Sequence, residues 1–435
     1  MLLAIFSCSI LVNSGSKFTT HSWGTLVLAI LVGLLLLDFK KWILSYIVII
    51  LSLCLYLPYF PRLANHTNVE IFVGIFFTGI LLITLVFKTA LPKAQVVNNV
   101  FRITLIALYF IAGFHKLNSG FFCSDGSCST AVGILNNRLL NTESVTVPYY
   151  YSLFTQVSTI IIEMIIPFGI LFKSTRKITV FILAGFHFYL SLCGFYNFSA
   201  FAAFLIAGSI INIGNNNLQK DLIKSLRYFL LFSILAVTST KFLHMLRLLP
   251  VTYLITYAGV IFNIGWVLFF YNIIKTSDNS VNKYKFSWLY PAIASVILVW
   301  GSQCYVGLST ASSLSMFSNL ITEKEHCNHF IIDTKKTKIW DFEEDNVVIV
   351  NIPDKCKMNY IDTLKDYGLP LIEFKKCISQ WTKFNEPIPC TLIYKGQTIF
   401  VPDLRNSKFN TYKIKWWHRF LYYRKINLNG NECLW

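Results

Sequence analysis

Ten apolar runs, spaced along the first three quarters of the chain, constrain this sequence more than any other feature. A helix crossing a hydrocarbon layer about 30 Å thick, at a rise of 1.5 Å per residue, needs about 20 largely apolar residues. Runs near that length lie at 23–37, 42–60, 69–87, 97–117, 152–172, 177–195, 198–213, 224–240, 254–274 and 288–307. The first and seventh are short, so the pattern predicts nine to eleven spans in an all-α polytopic membrane bundle. Residues 1–12 are apolar, too short to span, and lack the basic n-region of a secretory signal. They are expected to form an interfacial segment or part of the first helix.

Composition changes sharply near Asn319. Only 14% of the 435 residues are charged, against about 25% in soluble domains. Seven of the 21 acidic residues lie in 1–319 and the other 14 in the last 116 residues. This predicts a membrane domain over 1–319 and a water-exposed domain over 320–435. The formal net charge of +17 does not point to nucleic acid, because most basic residues sit between apolar runs, where they act as topology signals. The lipid bilayer is the expected partner.

The connecting loops alternate in charge. Lys40–Lys41, Lys88–Lys93, Lys173–Lys177, Lys220–Arg227 and Lys275–Lys285 mark basic loops, whereas the intervening loops are poor in basic residues, with Lys241 and Arg247 the exception. By the positive-inside rule the basic loops face the cytoplasm. The 118–151 loop and the C-terminal domain then face outward. Seven of the eleven cysteines fall in these outward regions, where disulfides persist. Within the loop, CSDGSC predicts a Cys123–Cys128 bridge. A metal site there would want a second cysteine pair at zinc-ligand spacing, and none follows.

Past Asn319 the pattern is α+β. The β-branched run 346–352 ends at Pro353, and 391–401 reads as a hairpin turning at Lys395-Gly396-Gln397. Segments 360–367, 371–381 and 412–424 suit helices. The last, basic and aromatic, fits either a membrane surface or the inside of the small domain.

Ionisable groups within apolar helices are costly and are functional candidates by default. Four stand out: His115 and Lys116 at the end of LYFIAGFHKL, Glu163 in STIIIEMIIPFGI, and His187 in ITVFILAGFHFYLSLC. AGFH occurs at both 112–115 and 184–187; Ala-Gly permits close helix approach, with a histidine placed to hydrogen-bond across it. The structural reading is a Lys116–Glu163 or histidine–Glu163 pair, with Lys116 snorkelling to the interface. The catalytic reading uses the same chemistry. Desolvation disfavours an ammonium, so a lysine in an apolar pocket can serve as a neutral amine and general base. No phosphate loop, serine-nucleophile elbow or zinc-protease helix is present in the sequence.

YFIAGFHKLNSGFF (109–122), the Glu163…Pro167 helix with its following STRK, and LAGFHFYLSL (183–192) resemble the HTTM-type membrane domain shared with vitamin K-dependent gamma-carboxylase. SLSMFSNLITEKEHCNHF (313–330) and the ending RFLYYRKINLNGNECLW resemble bacterial members of that group. The resemblance implies an outward-facing site in a helical bundle, with the lysine of a Y-x-x-AG-x-x-K motif deprotonating a reduced quinone such as vitamin K hydroquinone. Lys116 occupies the lysine position. The family commonly has Asp-Trp shortly after it, where this chain reads Gly120-Phe121. The carboxylase's large lumenal region, which grips its protein substrate, has no counterpart of that size here. Two functions follow: a membrane enzyme using Lys116 on a quinone or other lipid-soluble substrate, with lyase- or epoxidase-type chemistry implied, or a non-enzymatic factor for peptide-toxin maturation or immunity. The latter would bind a peptide or protein partner through the C-terminal domain. A transporter would call for an inverted repeat, which the sequence lacks.

Overall fold

A computed structural model describes residues 2–16, 22–37, 42–88, 94–123, 126–132, 149–210, 216–246, 251–276, 288–353, 356, 367–381, 386–410, 415–427 and 433. Each of the ten apolar runs is largely helical over its described residues. Six helices are long and apolar enough to cross a membrane: Asn65–Phe87, Val96–Phe114, Tyr149–Leu171, Lys173–Ile210, Lys220–Thr240 and Tyr257–Lys275. Four shorter apolar helices accompany them, at Leu3–Asn13, Leu26–Leu35, Ile43–Tyr59 and Leu289–Gly301. This is the pattern of a multi-pass membrane protein. The basic positions 40, 41, 93, 283 and 285 lie outside the described residues.

Leu2–Ser16 differs from its expectation as an interfacial or first-helix segment. It is a separate helix, and Ile5, Phe6, Cys8, Ile10, Leu11 and Val12 are all buried. A helix that is apolar all round belongs in a core. It packs on Tyr196–Ile210, where Phe6 stacks on Phe204 at 4.5 Å between ring centroids. Its few polar groups are satisfied internally: Ser9 Oγ and Asn13 Nδ2 donate to the buried Glu70 carboxylate at 2.7 and 2.8 Å.

Two long helices change winding where the site forms. Tyr149–Ile160 runs into a π turn at Ile161–Ile165 and then a 3-10 segment at Ile166–Leu171. Pro167 lacks the N–H that would continue the α ladder. Lys173–Leu190 leads through Ser191–Phe195 into Tyr196–Ile210. The path kinks at Gly194, whose φ of 95° is open to glycine and costly for other residues.

The C-terminal region is α+β. β1 (Asn346–Asn351), β2 (Tyr367–Pro370), β3 (Cys390–Tyr394), β4 (Gln397–Val401) and β5 (Ile426–Asn427) form an antiparallel sheet in the order β4-β3-β1-β2-β5. The β3–β4 hairpin turns on Lys395 and Gly396 alone, and Gln397 already pairs with Tyr394. Helix Leu371–Trp381 buries Phe374, Cys377, Ile378 and Trp381 in the core shared with β1 and β3. Over its described residues, 415–424, the expected 412–424 helix is not formed; residues 412–414 lie outside the described residues. Trp416–Phe420 is a 3-10 turn, and the chain then extends so that the Tyr422 carbonyl accepts from the Thr310 and Ala311 amides. Register with the 309–311 segment, together with the β2–β5 pairing, outweighs local helix propensity here. Of the expected 360–367 helix, residues 360–366 lie outside the described residues.

The domain is tied to one end of the bundle. Arg62 donates to Glu373 at 2.9 Å, Tyr423 Oη donates to the Gly307 carbonyl at 2.7 Å, and Cys128 is disulfide-bonded to Cys433. The Cys123–Cys128 bridge read from CSDGSC is therefore corrected: Cys123 is a free thiol. Short spacing makes a local bridge possible, but the fold brings a residue 305 positions away to a Cα–Cα distance of 4.9 Å, and that residue takes the bond.

Candidate functional site

Helix Ala94–Phe114 and the turn after it present Tyr109, Ala112 and Lys116 along one face, two helical turns from end to end. That face meets the π turn that carries Glu163. The approach is closest at Gly113, where a Cβ would lie 2.5 Å from Met164 Cγ and 3.0 Å from Glu163 Cβ. With glycine there, Lys116 Nζ comes to 2.7 Å from Glu163 Oε2 and also donates to the Ala112 carbonyl at 3.2 Å. Both side chains are buried, at 4% and 10% exposure. A π turn inserts one residue into the helical ladder and re-aims the side chains in it, which is why such turns gather at functional sites.

Lys116, Glu163 and Tyr109 line a cavity of about 340 Å³, within the ~300–1,000 Å³ common for small-molecule sites. Its walls are largely apolar and aromatic, with Phe154, Phe186, Phe195 and Phe198 among them. Leu314, Met316 and Phe317 also line it. Leu314 and Phe317 have φ of 63° and 50°, a strained region for non-glycine residues. Phe317 rests edge-on against Phe195 at 4.7 Å.

The four residues singled out from the sequence do not all converge. Lys116 and Glu163 do, as an ion pair on the cavity wall. His187 stands behind the wall, fully buried, bonded through Nε2 to Tyr109 Oη, with its backbone carbonyl accepting from Ser199 at 2.9 Å. It orients Tyr109 rather than facing the cavity. His115 points elsewhere: Nε2 donates to the Ser313 carbonyl at 3.0 Å, and Nδ1 lies 2.8 Å from Tyr305 Oη. It fastens the helix end to the segment outside the bundle. The two AGFH copies therefore differ in role. Gly113 is a close-approach point, whereas a Cβ at Gly185 would meet open space.

Tyr109 and His66 are among the cavity residues that the sequence reading did not single out as candidates. Tyr109 was legible in principle, as the tyrosine of the Y-x-x-AG-x-x-K motif seven residues before Lys116 on the same face. His66, whose Nε2 donates to Asn13 Oδ1 at 2.9 Å, sits in an Asn-His-Thr-Asn run that looks like an ordinary polar helix start. Cys128 also lines the cavity, which its loop position did not signal. Among the described residues no group of three or more His, Cys, Asp or Glu is arranged to hold a metal ion.

No protein-family model, curated protein or solved structure matches this chain.

Proposed function

We propose that this chain is a multi-pass membrane enzyme of the HTTM type, resembling the membrane domain of vitamin K-dependent gamma-carboxylase, in which Lys116 takes a proton from a lipid-soluble hydroxyaromatic substrate of the reduced-quinone class. The observation that carries the reading is the buried Lys116–Glu163 pair on the wall of an apolar, aromatic-lined cavity. A flat apolar ring system suits such walls, and the pair supplies polar chemistry at one place.

Glu163 Oε2 accepts from Lys116 Nζ at 2.7 Å and fixes that nitrogen on the cavity wall. The amine accepts the substrate's hydroxyl proton, and the resulting ammonium stays beside the substrate oxyanion and stabilises it. Tyr109, whose hydroxyl is held by His187, lines the same cavity. Substrate enters from the lipid, and the site opens to the non-cytoplasmic side, where the C-terminal domain lies. Loop charge supports that orientation, as does a disulfide joining the 118–151 loop to the C-terminal domain. Glutamate carboxylation is not part of the proposal.

The test uses Lys116→Arg, which keeps a cation beside Glu163 but stays protonated. Purified protein is mixed anaerobically with a reduced naphthoquinone, and the hydroquinone anion is followed by absorbance. Wild type is expected to accumulate bound anion and Lys116→Arg to accumulate none at equal thermal stability; equal anion in both overturns the role of Lys116.

A further inference from the structure

Cys128 is fully buried and is among the residues that line the cavity holding Lys116 and Glu163. Its disulfide partner, Cys433, is half-buried on the other side of the bond. The bond thus runs from the cavity wall to a half-buried position. Its cavity end is held in place from the bundle's outer segment: Asn319 Oδ1 accepts from the Cys128 amide at 2.7 Å, and Asn319 Nδ2 donates to the Gly126 carbonyl at 2.6 Å. Among the described residues Cys128 is the one cysteine on the cavity wall.

We propose that the Cys128–Cys433 disulfide is redox-active and carries electrons from an external dithiol to a quinone in the cavity, a second activity that rests on the quinone reading above. A thiolate of the external dithiol attacks Cys433 Sγ, the sulfur of the half-buried residue. The Cys128–Cys433 bond breaks, a mixed disulfide forms, and Cys128 leaves as thiolate into the cavity wall. The second thiol of the external partner resolves the mixed disulfide, so the partner is oxidised to its own disulfide and Cys433 is freed. The cavity quinone then takes two electrons and two protons from the Cys128 and Cys433 thiols, which rejoin as the disulfide. The net change is one dithiol and one quinone converted to one disulfide and one hydroquinone. The hydroquinone is formed in the cavity where Lys116 accepts its proton, so the two activities follow one another. The dithiol partner is a peptide or protein with a cysteine pair, acting at the outward end of the bundle.

Duroquinone is the probe, because its fully methylated ring cannot be arylated by thiols. Full-length protein in nanodiscs is reduced, freed of reductant and mixed with duroquinone under argon; hydroquinone is read by absorbance and free thiols by alkylation and peptide mass. One hydroquinone per chain is expected, with loss of the Cys128 and Cys433 thiols together. With dithiothreitol as donor, turnover is expected in wild type and in Cys123→Ser, and only the uncatalysed rate in Cys433→Ser. Duroquinone binding is measured separately by quenching of tryptophan fluorescence. Bound quinone with both thiols unoxidised overturns this inference and leaves the role of Lys116 standing. Absence of quinone binding overturns both. The wild-type thiol readout decides the matter even if a cysteine variant fails to fold.

Discussion

Lys116 Nζ and Glu163 Oε2 stand 2.7 Å apart, 47 positions apart in the chain, at the point where a glycine lets one helix touch the π turn of another. Removing one partner strands the other's charge in a buried site. Lys116→Met alone and Glu163→Leu alone are each expected to cost about 3–5 kcal/mol, and the double variant far less than the sum. Chemical unfolding in detergent measures this; strictly additive losses would show that the two groups are not coupled.

Gly113→Ala and Gly185→Ala make the same change in the same AGFH context. At Gly113 the new methyl overlaps Met164 and crowds Glu163, an overpacking cost of about 1–3 kcal/mol. At Gly185 it meets nothing within 4 Å, so the helix gains up to about 1 kcal/mol from losing its glycine. Thermal melts should shift in opposite directions, and equal shifts would rule out Gly113 as the contact that seats the pair.

The disulfide assignment has a direct test. Peptide mapping without reduction should recover Cys128 joined to Cys433 and Cys123 as a free thiol. Cys433→Ser should lose about 2–5 kcal/mol of stability, as removal of a native disulfide commonly does, and Cys123→Ser should lose little. Recovery of a Cys123–Cys128 peptide would reverse the assignment and remove the basis for electron transfer through Cys433.

Outside the bundle, Glu343 is fully buried beside Lys338 Nζ at 2.6 Å and accepts from Thr322 Oγ1. Burial first, and the Glu323 carboxylate second, push its carboxyl up to about 7, against the opposing pull of Lys338 and Arg424. The folded protein therefore keeps this proton where an unfolded glutamate, with its usual value of 4.5, has released it. That contribution to stability is fully present below the unfolded value and is lost as pH rises through the folded one. The melting temperature should fall between about pH 5 and pH 7, and Glu343→Gln should flatten the fall. A midpoint that climbs over that interval would contradict the assignment.

Local pattern carried much of the architecture. Apolar runs of span length became helices because length and hydropathy are properties of contiguous residues. The hairpin at 391–401 and the helix at Leu371–Trp381 were legible for the same reason, through β-branched alternation and a start just after Pro370. Lys116 and Glu163 were visible as ionisable groups in apolar surroundings, which few sequences keep without cause.

What joins what was decided only in three dimensions. The choice of Glu163 for Lys116, of Cys433 over Cys123 for Cys128, and of Tyr109 for His187 each depends on which helix faces meet. That is set by packing contacts such as Gly113 on Met164, far apart in sequence. The Leu2–Ser16 helix became core because other helices surround it, not because of its own length. The Trp416–Phe420 segment gave up its helical pattern because hydrogen bonds to the 309–311 segment and the β2–β5 pairing were worth more. Sequence alone determined where the chain can bury itself, since hydrophobicity is local. The tertiary fold decided which buried polar groups meet, since such groups are satisfied only by partners the packing brings to them.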